Sequence, residues 1–394
     1  MMRVCPRCSR ACWSPLALAQ RARCLPMWVA VGMACCLGTI GCRPTVEQAV
    51  ELQPVRYDLA DRAEPPQATA EDRAHGELTE RLERVLAVGS KRILSASRHA
   101  AWQIMHGVLC YGPQLQLDTP DRGRVGALDY LLSGGQVQGF ELMLGDLFSD
   151  GRLRGVQAKL EPGSYQGQGH VDQWIAIMAM ADIPLDTPIQ LGEVQTTVEG
   201  LARQAQYDVS RNLLDEYSWT LIALTHYFPH EPRWVAWGDY EVSWEMLVEQ
   251  ELRRELDTSP CGGTHRMAGL VAAVNAHRRL GLPDSPIWQA ARERIERMLE
   301  RVEQLRLPDG NLSAYYFAKL GASHDVHAQL ASTGHLFEFC ALALPEQRLR
   351  EAWVAQAATA VCRLLEVTER EEVDCGALYH ALRGLKIYRA RITR

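Results

Sequence analysis

Acidic residues are missing from the first 41 positions of this 394-residue chain, although the whole chain holds 48 aspartates and glutamates. The same stretch carries Arg3, Arg7, Arg10, Arg21 and Arg23 and six of the twelve cysteines. Such a composition sets it apart as a leader. Beyond it there is no basic stripe, and removing the five leader arginines takes the formal charge from −6 to −11. A body that acidic cannot replace the counterions of nucleic acid, which excludes that class of partner. The cysteines outside the leader, Cys42, Cys110, Cys261, Cys340, Cys362 and Cys375, are too few and too scattered for a disulfide framework. Period-two alternation is also scarce, so long half-buried strands are not expected.

In the leader, Arg21 and Arg23 precede the apolar run Leu25 to Ile40, which ends in Thr39-Ile40-Gly41-Cys42. Basic region, short apolar core and small residues before a cut are the order of a secretory signal. The last four residues resemble a bacterial lipobox, which implies lipidation of Cys42 and anchoring of an exported protein to the membrane by lipid. An uncleaved signal anchor and ordinary secretion are the alternatives, the run being short of the roughly 20 residues that span a bilayer. Cys5-Pro-Arg-Cys8 with Cys12 and Cys24 has part of a zinc-knuckle spacing. In front of a signal core, a start at Met27 or an upstream methionine is the simpler reading. The expected organisation is a leader at 1–41, a lipidated Cys42 with a tether rich in proline at 42–75, and a body at 76–394.

Within the body, apolar residues recur at three- and four-residue spacing, and apolar segments alternate with charged amphipathic ones. Val171 to Ala181, Leu213 to Tyr227, Gly263 to Leu280 and Leu330 to Leu344 are apolar. Val194 to Val209, Val242 to Leu256 and Ile287 to Leu305 are charged. Phe140 to Phe148 reads as either a strand or a short helix. Helices apolar most of the way round must be buried, and helices with one charged face must cover them. About six such pairs, at intervals of about 45 to 70 residues, lead to an expected all-α fold: an (α/α)6 toroid of helical hairpins, with an open solenoid as competitor.

Gln304-Leu305-Arg306-Leu307-Pro308-Asp309-Gly310 resembles the glutamine-x-x-x-aspartate-glycine turn of terpenoid cyclases and protein prenyltransferases. Cys261-Gly262-Gly263 is similar to the glycine pair that opens their inner helices. The chain also resembles an uncharacterised bacterial lipoprotein family, through Gly167-Gln168-Gly169-His170, Ser218-Trp219, Cys261-Gly262-Gly263-Thr264-His265-Arg266, Thr333-Gly334-His335 and Cys375-Gly376-Ala377-Leu378-Tyr379-His380. Members of that family often bear the label "ADP-ribosylation factor-directed GTPase activating protein". The residues do not support it: the leader cysteines lack a second paired spacing, and an exported protein meets no such GTPase. Both resemblances imply an α/α toroid.

Polar side chains gather at the expected starts of the buried helices, which would place them on one rim of positive helix ends. Three readings compete there. Cys261, His265, His335 and Cys375 form a candidate metal set, and thiol with imidazole suits zinc. His335, Glu338 and Asp374 are candidates for acid–base catalysis. His170, Trp174, Trp219, Thr264, His265, Arg266 and His380 are candidates for binding a small-molecule or glycan ligand. The competing explanation for all of them is structural, as helix caps and packed core. The expected function is a ligand-binding protein of the cell envelope. The alternative is an enzyme acting on glycans or isoprenoids.

Overall fold

The computed structural model describes residues 70–148, 151–214 and 216–393. The leader, the lipobox with Cys42 and the tether up to residue 69 lie outside them. Thirteen helices occur among the described residues: α1 (Ala70–Gly89), α2 (Ala101–Tyr111), α3 (Ala127–Leu132), α4 (Gln173–Met180), α5 (Val198–Asp208), α6 (Ser218–Tyr227), α7 (Trp244–Leu252), α8 (Thr264–Leu280), α9 (Pro286–Gln304), α10 (Val326–Ala343), α11 (Glu346–Leu349), α12 (Ala352–Val367) and α13 (Cys375–Ile392). Helix α1 begins six residues before the expected start of the body at 76.

Six of these helices, α2, α4, α6, α8, α10 and α13, are apolar on nearly every side. They pack in cyclic order, each on the next, with α13 returning to α2. Amphipathic helices cover them from outside. Helix α9 buries Trp288, Ala291, Ile295, Leu299 and Val302, a three- and four-residue spacing that turns one stripe inward and leaves the charged residues in water. Helix α12 covers α10 and α13 in the same way, and α1 packs on α12 and α13. Close approach at one contact depends on missing side chains. A Cβ on Gly334 of α10 would lie 2.8 Å from the Ala381 Cβ of α13, and one on Gly384 would lie 3.0 Å from the Glu338 Cα.

The expected all-α toroid is corrected by the strands. Among the described residues the fold is mixed, 54% helix and 13% strand, with the strands in four small sheets. The strands are β1 (Leu94–Ser95), β2 (Gln116–Thr119), β3 (Gly123–Gly126), β4 (Leu142–Phe148), β5 (Leu153–Ala158), β6 (Pro188–Leu191), β7 (Val194–Thr197), β8 (Arg233–Ala236) and β9 (Tyr240–Ser243). Three antiparallel hairpins, β2–β3, β6–β7 and β8–β9, each join a buried helix to the covering helix that follows it. Strand β1 adds to the first in parallel, and β4–β5 is a separate hairpin with a register shift between Leu144 and Leu147. Strands of two to seven residues carry too little alternation to stand out against a helical background. For that reason the helix expected from Val194 starts only at Val198, and the one expected from Val242 starts at Trp244.

Among the described residues, no helix is long and apolar enough to cross a membrane.

Candidate metal centre

The segment Ser259-Pro260-Cys261-Gly262-Gly263 delivers the chain from α7 into α8 through a turn with an unusual backbone. Cys261, Gly262 and Gly263 have φ of 50°, 60° and 80°. Glycine accepts this left-handed region freely, whereas a residue with a Cβ pays roughly 1–2 kcal/mol. Space imposes a second demand, because a Cβ on Gly262 would fall 2.2 Å from Cγ of Tyr316. Cys261 therefore bears a strain that its surroundings enforce. It is not on the same helical face as His265, as a spacing of four would suggest, since α8 begins only at Thr264. The left-handed turn brings them together instead.

His265 lies in the first turn of α8, against the Trp219 ring at 4.8 Å between centroids. Both of its ring nitrogens are buried, and among the described residues neither has a hydrogen-bond partner. His335, in the middle of α10, uses Nδ1 on the Ala331 carbonyl at 2.7 Å. The sulfur of Cys261 and one nitrogen each of His265 and His335 all lie within 4.8 Å of one another.

Three more histidines surround this group. His380 of α13 stands 4.2 Å from the His335 ring and 5.3 Å from that of His265. Its Nδ1 is 2.5 Å from Oε2 of Glu338, while Oε1 of the same carboxylate accepts from Arg383. The Nε2 of His380 is buried and has no partner among the described residues. His170 directs Nδ1 at Glu216, 2.9 and 3.0 Å from its two oxygens, with its ring edge-on to His265. His106 of α2 bonds to the Trp102 carbonyl at 2.6 Å. Four of the five imidazoles thus have Nδ1 occupied. Fixing one ring nitrogen sets the tautomer and orients the other, which is how proteins position metal-ligating histidines.

Burial keeps four of these rings neutral. Burial pushes His265 and His380 well below the ordinary histidine value, and neighbouring histidines push them further. Burial also lowers His335, and lowers His106 to about 4. The Cys261 thiol is raised to about 12 by burial, with Asp374 and Glu338 adding to the rise. Without a cation the site is therefore neutral imidazole and thiol, and a bound divalent ion would draw the proton from sulfur. A cavity of about 20 Å³ lies between His265, His335, His380, Glu338, Trp219 and Thr264. One water fits in a space of about that size.

The remaining candidates serve other contacts. Glu338 acts on His380 and Arg383 and leaves no carboxylate oxygen unused. Asp374 caps α13, its Oδ1 accepting from the Ala377 amide at 3.0 Å. Cys375 is outside the three-donor group and lines a surface pocket with Arg92, Arg98 and His99. Thr264 donates to the Cys261 carbonyl at 2.9 Å. Arg266 reaches back to Glu251 of α7 at 2.7 Å and to Ser259 at 2.8 Å, pinning the strained turn from below. Trp174 is fully buried in α4, with Nε1 unpartnered among the described residues. Sequence reading passed over His106 and Arg383. The first is a polar residue inside an apolar helix, the same signal that His335 and His380 carry, and Arg383 is one helical turn beyond His380.

No protein-family model matches the chain, and neither a curated protein nor a solved structure matches it.

Proposed function

We propose that this chain is an exported, envelope-anchored metalloprotein that holds a zinc ion between Cys261, His265 and His335, in a centre built for metal-assisted hydrolysis. The observation that carries the reading is His265. A buried ring nitrogen without a partner costs about 1–3 kcal/mol, and His265 has two, one of which lies within 4.8 Å of a thiol and a second imidazole. A cation bound there accounts for an arrangement that packing alone would penalise. One thiolate with two imidazoles is a zinc-type donor set, and three protein donors leave a fourth position open, as in catalytic sites.

Zinc in such a site supplies Lewis acidity. The chain's own residues supply the rest. His380 presents its unpartnered Nε2 to the cavity and can accept a proton there. Glu338 holds the opposite nitrogen of that ring and stabilises the imidazolium formed, while Arg383 pairs with its other oxygen. Trp219 and Thr264 close the space against bulk water. Neither a sugar ring nor an isoprenoid chain fits in about 20 Å³, so the reacting part of a substrate is a small group at the end of a larger molecule.

The reading of the location rests on the leader composition and on Cys42, and incorporation of a palmitate analogue, lost in Cys42→Ala, tests it. For the centre, elemental analysis of protein purified without chelator should find about one zinc per chain, and none in His265→Ala or His335→Ala. A wild-type protein free of metal after reloading with zinc refutes the reading.

A further inference from the structure

Away from the histidine cluster, a cavity of about 450 Å³ opens between the β4–β5 hairpin and helices α4 and α5. Val156, Ile175 and Leu201 wall it and are buried. Its mouth is apolar as well: Met143 is 40% exposed and Leu213 is 92% exposed. Large apolar side chains left in water around an apolar hollow mark a surface that an occupant covers.

The lining contains two carboxylates with different fates. Asp208 is satisfied: it accepts from Gln157 at 2.7 Å, from Gln204 at 2.9 Å and from Arg211 at 2.8 Å. Asp172 holds only the Thr220 hydroxyl, at 2.5 Å, and makes no ion pair among the described residues. Its backbone is left-handed, with φ 59° and ψ 16° at the start of α4. Strain of this kind persists where the surroundings demand it. Burial raises its carboxyl to about 7; the Thr220 bond opposes the rise, and Asp208 and Glu216 add to it. An ionised Asp172 therefore lacks a counter-charge, since the one cation of the lining, Arg211, is paired with Asp208.

We propose that this cavity binds an amphiphile with a hydrocarbon body and a single ammonium head, the head paired with Asp172 and the body lying among Val156, Ile175 and Leu201. The site is separate from the metal centre and does not rest on it. Binding of dodecylammonium, dodecanol and dodecanoate to the purified full-length protein, by calorimetry at pH 8 and low salt, tests it. Dodecylammonium should bind at one saturable site, about tenfold or more tighter than the alcohol, as a charge-assisted contact implies. Asp172→Asn should bring it down to the level of the alcohol while melting no lower than wild type, because asparagine tolerates left-handed backbone. Ala205→Leu, which adds bulk to the cavity wall and leaves the charge alone, should weaken both ligands alike. Equal affinity of wild type and Asp172→Asn for dodecylammonium overturns the proposal. So does tighter binding of dodecanoate, indifference of both ligands to Ala205→Leu, or no saturable binding at all.

Discussion

Replacing His265 by alanine should leave stability nearly unchanged without metal and lower it with metal. In the metal-free protein the substitution removes two buried, unpartnered nitrogens, which relieves about 1–3 kcal/mol for each. It also removes a ring packed against Trp219, His335 and His380, and loss of a buried ring of this kind costs about 3–5 kcal/mol. The two terms nearly offset, so the chelated variant should melt within a few degrees of chelated wild type. With zinc at about a thousand times its Kd, wild type gains about 4 kcal/mol, and the variant gains nothing. At about 2 °C per kcal/mol for a chain of this size, that is a separation of about 8 °C. Thermal denaturation followed by calorimetry, with zinc and with chelator, measures all four values. A control is His277→Ala, whose ring stacks on Trp288 outside the cluster. It should melt lower but keep the full zinc shift. The reasoning fails if zinc leaves wild type unmoved, or if His265→Ala shifts as much as wild type does.

Acid should unfold the protein early. His106 has a folded value of about 4, below the unfolded 6.5, so as pH falls through 6.5 the unfolded chain takes up a proton that the folded chain refuses. That stability is complete above about 6.5 and is lost toward about 4; His106→Gln should flatten the melting-temperature profile in that window. Asp172 has the reverse sign. Its folded value of about 7 lies above the unfolded 3.8, so its contribution falls as pH rises between those values, and Asp172→Asn should raise the melting temperature more at pH 8 than at pH 4.5. Arg266→Ala leaves the Glu251 carboxylate, 2% exposed, without its cation. A cost of about 3–5 kcal/mol in denaturant titrations is expected, together with weaker zinc binding as the Cys261 turn loosens. Gly334→Ala sets a methyl 2.8 Å from the Ala381 Cβ, which should push α10 from α13 and lower both stability and metal content.

The helical part of the fold was legible because burial writes itself into sequence. Helices such as α6 and α10 have no polar face, while α9 has a broad one, and that contrast survives any uncertainty at the ends. The hairpins were not legible, since four-residue strands leave only two side chains on each face. A different signal does mark them: Gly192 and Gly238 have positive φ at the turns, and Thr197 and Ser243 follow five residues later as the caps of α5 and α7. That repeat is a matter of turn chemistry rather than hydrophobic period. In the site, His265 and His335 stood out as polar residues in apolar helices. Cys261 stood out for the wrong reason, because spacing placed it on the helix and the structure places it in a left-handed turn before the helix. Glu338 drew attention as a catalytic acid, yet its two oxygens serve His380 and Arg383. Pairings between α10 and α13 leave no trace along a single chain, and they decide the role.

Charge explains why the turn is worth its strain. His265 sits at the N-terminal end of α8, where the helix dipole is positive and disfavours a cation. The four imidazoles that burial holds below their ordinary value offer lone pairs but no compensating charge. Asp374 is spent on capping α13, and Glu338 is matched by Arg383. Near the three donors, the Cys261 sulfur remains as the group that can become anionic without leaving another partner bare, and its proton is held chiefly by burial, with Asp374 and Glu338 adding to the hold. A cysteine carried by the helix itself would point along the helix surface. Placing it in a left-handed turn, with Gly262 against Tyr316 and Arg266 tied to Glu251, instead sets a latent negative charge beside the positive helix end. On the proposed reading the turn and the histidines are one device: the imidazoles would select the ion, and the thiol would neutralise enough of its charge for it to be held there.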